Sequence, residues 1–312
     1  MSDFLFALNT VLPLLLLMSL GWFCRRVGLL TETLVKGVNQ LVFKIFLPVS
    51  LCVSVMNTPY DTAISVNAFL LAAIGLAADF GILFLLIPRI EKDRKKIGVM
   101  IQGMARGNYA FFGIPLVAML FPGRDTSLAS LMVIVTIPVY NILSVVALCV
   151  FGDGEIRLGK VLLNILKNPL IIGTVFGYAF WLLRFQPPAF IRTTMADLAK
   201  VATPLALFTL GGAIQFASAK GHMKQLLIAV PWKLIVSPLV FVGIGIAIGL
   251  RDVALACTYI AFGAPTAVSS YPMAQQMGGD GELAAELVAI SSAFCILTTF
   301  LFVFAMKSMG LI

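Results

Sequence analysis

The chain has 312 residues, 60% of them hydrophobic and 12% charged, and its mean hydropathy is +1.03. That much apolar surface is more than one soluble core can hide from water, which excludes an ordinary globular domain and implies a polytopic protein of the lipid bilayer. The net charge of +8 does not point to nucleic acid, since the Lys and Arg residues sit mostly in short loops between apolar stretches.

Ten apolar runs are long enough to cross a bilayer. The first, near 4–23, has no basic residue in Met1-Ser2-Asp3 and is followed by Arg25-Arg26 rather than by a small-residue cleavage site, so it reads as an anchor and not as a cleaved signal. The second, near 38–57, carries Lys44 one turn before Pro48. The third, near 64–87, holds Asp79 within Ala77-Ala78-Asp79-Phe80, with no basic residue inside a helical turn. The fourth, near 97–120, contains Arg106-Gly107-Asn108-Tyr109 running on to Gly113-Ile114-Pro115. The fifth, near 127–150, contains Pro138, Tyr140 and Asn141.

A connection of about 18 residues leads to the second half. There the runs lie near 169–186, 201–217 (with Gln215), 226–249, 253–277 and 283–306, and a short amphipathic piece falls between Arg184 and Lys200. Lys233 lies near the end of its span and reads as a snorkelling lysine. The ninth span contains Ala264-Pro265-Thr266 running on to Ser269-Ser270-Tyr271-Pro272.

Basic residues favour the cytoplasmic side. With the N-terminus outside, cytoplasmic loops hold 13 of the 22 Lys and Arg residues and outer loops hold 6. Both termini are thus expected to be extracytoplasmic, and in a bacterial cell the protein would reside in the inner membrane.

The two halves resemble each other. Pro13 and Pro169, Gly21 and Gly177, and Pro48 and Pro204 are each 156 residues apart, and Pro115 and Pro272 are 157 apart. Five spans per half make the second copy enter from the opposite side, so the expected fold is all-α, with ten transmembrane helices in two inverted five-helix repeats, about 1–156 and 157–312, forming one integral transporter domain. A doubled membrane protein with an interrupted helix in each copy is the pattern of a secondary transporter.

Proline and glycine predict that Gly107 to Pro115 and Gly263 to Pro272 unwind, and the two broken helices, the fourth and the ninth, would cross at a binding site. The alternative is a pair of simple proline kinks. Asn108 can donate to and accept from a carboxylate. Tyr109, Gly113, Pro115 and Pro265 frame the same segments, and Pro272 closes the second. Thr266, Ser269 and Ser270 offer hydroxyls that either meet a ligand or bond back to their own helix. Asn141 is a further substrate candidate, while Gln215 is read as a helix-packing amide. Asp79, Arg106 and Lys44 are the coupling or gating candidates, because charges inside spans are costly. Asp79 needs a distant partner, a bound cation or a proton, and an ion pair with Lys44 or Arg106 is the structural alternative.

The five cysteines, Cys24, Cys52, Cys149, Cys257 and Cys295, contain no CxxC pair, and His222 is the only histidine. No disulfide framework, metal site, cofactor or His-based triad is implied, and an enzyme is disfavoured.

The block Arg106 to Pro115, together with Ala202-Thr203-Pro204-Leu205-Ala206-Leu207-Phe208 and Pro265 to Pro272, resembles the auxin efflux carrier family over essentially the whole chain. The resemblance implies crossed fourth and ninth helices, a homodimer, and transport of an organic acid: its bacterial members include malonate or other carboxylate permeases, and its plant members export an auxin. A fourth-helix asparagine that holds the ligand carboxylate there corresponds to Asn108. A third-helix aspartate corresponds to Asp79, but Leu83 stands where that family has a lysine. Transport of a small organic anion, a mono- or dicarboxylate or an auxin-like acid, is therefore the leading expectation. The alternatives are a Na+- or H+-coupled carrier of the bile-acid symporter or antiporter type that uses Asp79, and a membrane receptor that binds without transporting.

Overall fold

The computed structural model describes residues 2–59, 65–152, 158–213 and 221–312. Gln215, with the loop residues Arg157 and Lys220, lies outside them.

The first half forms α1 (Ser2–Arg26), α2 (Glu32–Met56), α3 (Val66–Ile90), α4 (Arg94–Ala105), α5 (109–120) and α6 (Ser127–Val150). The second forms α7 (Leu158–Lys167), α8 (Pro169–Leu182), α9 (Ala189–Ala213), α10 (Met223–Ala247), α11 (Asp252–Gly263), α12 (Ser270–Gln276) and α13 (Gly281–Ser308). Among the described residues five helices, α2, α3, α6, α10 and α13, are long and apolar enough to cross a membrane. Adding 156 to the bounds of α1, α2, α3, α4 and α6 lands within two residues of α7–α8, α9, α10, α11 and α13.

Helix starts follow local chemistry. Thr31 accepts from the Leu34 amide at 3.2 Å, Asp93 from Lys95 at 3.0 Å, and Asn168 and Asp280 from Leu170 and Leu283 at 2.9 Å. Each cap satisfies an orphan donor, with a typical contribution of about 1 kcal/mol.

Two expected boundaries shift. Leu158–Lys167 is helical, so the joining segment is largely a helix, separated from α8 by the Asn168-Pro169 cap; its Leu162, Leu163 and Leu166 form an exposed apolar stripe. The amphipathic piece after Arg184 is not separate either, since it continues through Pro204 as the single helix α9.

The prolines act differently from expectation. Three wide π-helical turns, 42–46, 109–113 and 232–236, each stand two residues before a proline: Pro48, Pro115 and Pro238. The amide before each proline bonds five residues back, Leu47 to Val42, Ile114 to Tyr109 and Ser237 to Trp232. The wider turn makes room for the ring against the preceding carbonyl and removes the need to unwind. The helices are instead interrupted only at 106–108 and 264–269, before Pro115 and around Pro265.

Packing groups α1 with α9, α2 with α8, and α9 with α2 on one side, and α3, α4 and α6, with α10 against α11, on the other. At the tightest crossings glycine is obligatory. A Cβ on Gly21 would run into the Phe208 carbonyl of α9, and one on Gly177 would lie 2.8 Å from the Cys52 carbonyl of α2. Those contacts are reciprocal: both partners are displaced by the same 156 residues.

Candidate functional site

The two interruptions meet. Gly107 and Thr266 form an antiparallel bridge, the Asn108 amide donates to the Pro265 carbonyl at 2.8 Å, and the Ala267 amide donates to the Arg106 carbonyl at 3.2 Å. Backbone that leaves a helix in a dry interior must pair elsewhere, and here each interruption supplies the other. Side chains cover the remaining groups. Thr266 Oγ1 donates to the Gly103 carbonyl at 2.7 Å, and the Ser291 hydroxyl accepts from the Thr266 amide at 3.1 Å. Gln102 donates to the Ser270 carbonyl at 3.0 Å, Lys233 Nζ donates to the Ala105 carbonyl at 3.1 Å, and the Tyr140 hydroxyl donates to Ala261.

On one face of this crossing lies a cleft of about 50 Å³. α4 and α5 with their junction contribute Arg106, Gly107, Asn108, Tyr109 and Ala110; the second interruption contributes Ala267, Val268 and Ser269. α2 adds Leu47, Ser50 and Leu51, α6 adds Ile137, Tyr140 and Asn141, and α9 adds Thr203. The first amides of α5, at Tyr109 and Ala110, begin at this wall, where a helix start favours negative charge.

Arg106 dominates the cleft. It is only 3% exposed, yet its partners are neutral: Ser269 Oγ at 2.7 Å, Asn141 Oδ1 at 2.8 Å and Met273 Sδ at 2.8 Å. Among the described residues no carboxylate pairs with it. Asn141 is held in turn by Thr174 at 3.3 Å. The Asn108 side chain is buried and has no hydrogen-bond partner among the described residues.

The structure brings together Arg106, Asn108, Tyr109, Asn141 and Ser269 of the sequence candidates. The others stand elsewhere. Gly113 packs against Ile260, Pro115 sits in the first turn after the π segment, and Pro265 and Thr266 are engaged in the crossing itself. Ser270 and Pro272 lie buried in α12 and do not line the cleft. Lys44 is exposed and away from the cleft, because its turn of α2 directs it outward.

Asp79 is 1% exposed and lies behind the crossing. Neither Lys44 nor Arg106 is its partner: Trp232 Nε1 donates to one carboxylate oxygen at 3.1 Å and the Ser237 hydroxyl to the other at 2.9 Å. The opposite charge on this side of the crossing is Lys233, which makes no contact ion pair with Asp79 and instead donates to the Ala105 carbonyl. Lys233 is therefore no snorkelling lysine. It is 1% exposed, because the π turn at 232–236 directs it to the end of α4.

Sequence reasoning missed Lys233, Trp232, Tyr140, Ser50 and Thr203. One signal was present for the last: Leu47 and Thr203, the residues before the repeated Pro48 and Pro204, are 156 apart and both line the cleft.

Comparison with known proteins supplies the remaining context. Residues 6–158 and 155–303 match the family of membrane transport proteins. A protein of Rhizobium meliloti named "Putative malonate transporter" is 23% identical over 296 residues, covering 92% of each chain. An uncharacterized transporter of Methanocaldococcus jannaschii is likewise 23% identical over 296 residues, covering 93% of this chain and 96% of its own. With its multi-pass apolar helices, the chain belongs to the membrane transport protein family, that of the auxin efflux carriers, and is a transporter and not an enzyme.

Proposed function

We propose that this transporter carries a small organic anion by alternating access, binding the anion's carboxylate at the cleft beside the helix crossing. The observation that carries the reading is Arg106, a buried cation with only neutral partners at the wall of a cleft. Leaving a charge uncompensated in a dry interior is costly, and a ligand carboxylate offsets that cost. Asn108 and the first amides of α5 supply further donors for the same group. The relative named for malonate supports the choice of a carboxylate.

Two inverted repeats of five passages, with α4–α5 and α11–α12 as the interrupted fourth and ninth, fit the recurring helix bounds and the reciprocal Gly21 and Gly177 contacts. Such a repeat has two nearly equivalent arrangements, which is what alternating access requires. The bias of basic residues between the loops supports both termini lying outside a bacterial inner membrane. Coupling through Asp79 is the less supported reading, since its oxygens are occupied by Trp232 and Ser237 and it does not line the cleft.

The test is counterflow in proteoliposomes. Vesicles loaded with an unlabelled carboxylate should accumulate the labelled one, and Arg106→Gln should abolish that accumulation while the protein remains folded. Binding without counterflow would make the protein a receptor, and counterflow undiminished in Arg106→Gln would remove the anion from this cleft.

A further inference from the structure

We infer, building on the reading that the cleft binds a carboxylate at Arg106, that the substrate is a short monocarboxylate and not a dicarboxylate. The name of the rhizobial relative speaks of malonate. The charge balance in this chain points elsewhere.

The charged groups at the crossing are three among the described residues: Arg106 at the cleft, and Lys233 with Asp79 behind Gly107. On the sealed side Lys233 donates to the Ala105 carbonyl and Asp79 accepts from Trp232 and Ser237, so that side carries one charge of each sign. The region therefore has a net charge of +1 when empty, and one carboxylate brings it to zero. A second carboxylate would find no second cation. The facing walls are Leu47, Leu51, Ile137 and Val268, and the available polar groups there, Ser50 and Thr203, are neutral hydroxyls. Hydroxyls can solvate a ligand hydroxyl or share one carboxylate, but they do not neutralise a buried charge. An unpaired anion against an apolar wall is a strong device for rejecting the wrong ligand.

Volume limits the length of the acid and not its charge. The cleft holds about 50 Å³, where a cavity that accepts benzene has about 150 Å³. It suits an acetate-, propionate- or lactate-sized acid better than an aromatic one.

The experiment uses the wild-type carrier and ligand pairs with the same carbon skeleton. Thermal stabilisation is titrated with acetate against oxalate and propionate against malonate near neutral pH, with indole-3-acetate as the large acid. The monocarboxylate of each pair should reach half-maximal stabilisation at a concentration lower by about tenfold or more, given the cost of an unpaired buried charge. Malonate should close the gap as the pH falls through its second ionisation, because hydrogen malonate is a monoanion. The same order should appear in counterflow.

Tighter binding of the malonate dianion than of propionate, lost in Arg106→Gln, would overturn this inference and leave the carboxylate reading standing. No stabilisation or counterflow by either class would overturn both. The ligand comparison needs no variant, so it does not depend on how Arg106→Gln folds.

Discussion

The two faces of Gly107 hold similar chemistry in different surroundings. Behind it, Lys233 and Asp79 are sealed at 1% exposure, and their partners are fixed parts of the chain: the Ala105 carbonyl, the Trp232 indole and the Ser237 hydroxyl. In front, Arg106 has neutral partners and an adjoining cleft, and the Asn108 side-chain carboxamide has unused hydrogen-bonding capacity. A buried charge that already has its countercharge can only hold the crossing together. One without it can exchange a ligand for water. The proposed site therefore rests on the open valence of Arg106 and not on position at a broken helix alone.

The largest effect expected from that contrast is on stability. Asp79→Asn leaves Lys233 without its countercharge, and breaking a buried pair from one side costs roughly 3–5 kcal/mol. The melting temperature should fall steeply, and Asp79→Asn combined with Lys233→Met should recover part of the loss. A double variant no better than the sum of its singles would show that the two charges do not act as a pair. Anion-dependent stabilisation should persist in whatever fraction remains folded.

Arg106→Gln should show the opposite profile. Losing charge-assisted hydrogen bonds to a carboxylate amounts to about 3 kcal/mol, or a hundredfold or more in affinity, with a smaller change in melting temperature of the empty carrier. If both variants lose stability and binding in parallel, the distinction between the two faces fails.

Gly107→Ala probes the wall itself. A Cβ there would lie 3.2 Å from the Tyr140 hydroxyl and 3.3 Å from Lys233 Nζ, close enough to push both neighbours. Overpacking of this degree costs about 1–2 kcal/mol. Both melting temperature and anion affinity should drop modestly, since this residue touches both faces.

Much of the architecture was readable in the sequence because membrane helices are dictated by composition and length. The 156-residue offset seen between prolines and glycines recurs in two contacts, since Gly21 and Gly177 meet the Phe208 and Cys52 carbonyls. The extent of unwinding was not readable, because a π turn resolves a proline clash without breaking the helix, and nothing in Leu47-Pro48 or Ile114-Pro115 announces that choice. The role of Lys233 was equally hidden. It was expected near a span end, but it is the eleventh of the 25 residues of α10, and the wide turn at 232–236 brings it under the crossing. Among the cleft candidates, polar residue type located Asn108, Asn141 and Ser269. It could not separate Ser269, which faces Arg106, from Ser270, one residue later, which faces the interior.

The smallest effect sharpens the contrast furthest, because it compares two amides at one cleft. Asn141 is engaged on both sides, accepting from Arg106 at 2.8 Å and donating to Thr174 at 3.3 Å, whereas the Asn108 side chain has no hydrogen-bond partner among the described residues. Asn141→Ala should therefore free Arg106 to move and lower both stability and affinity. Asn108→Ala removes only what a ligand would use, about 1 kcal/mol or a severalfold loss of affinity, with the melting temperature of the empty carrier nearly unchanged. Asn108→Asp keeps the shape and replaces a donor with a negative charge, so it should compensate Arg106 internally, raise the stability of the empty carrier and exclude the anion. Binding that survives Asn108→Asp would mean the carboxylate does not approach Arg106 from this side of the crossing.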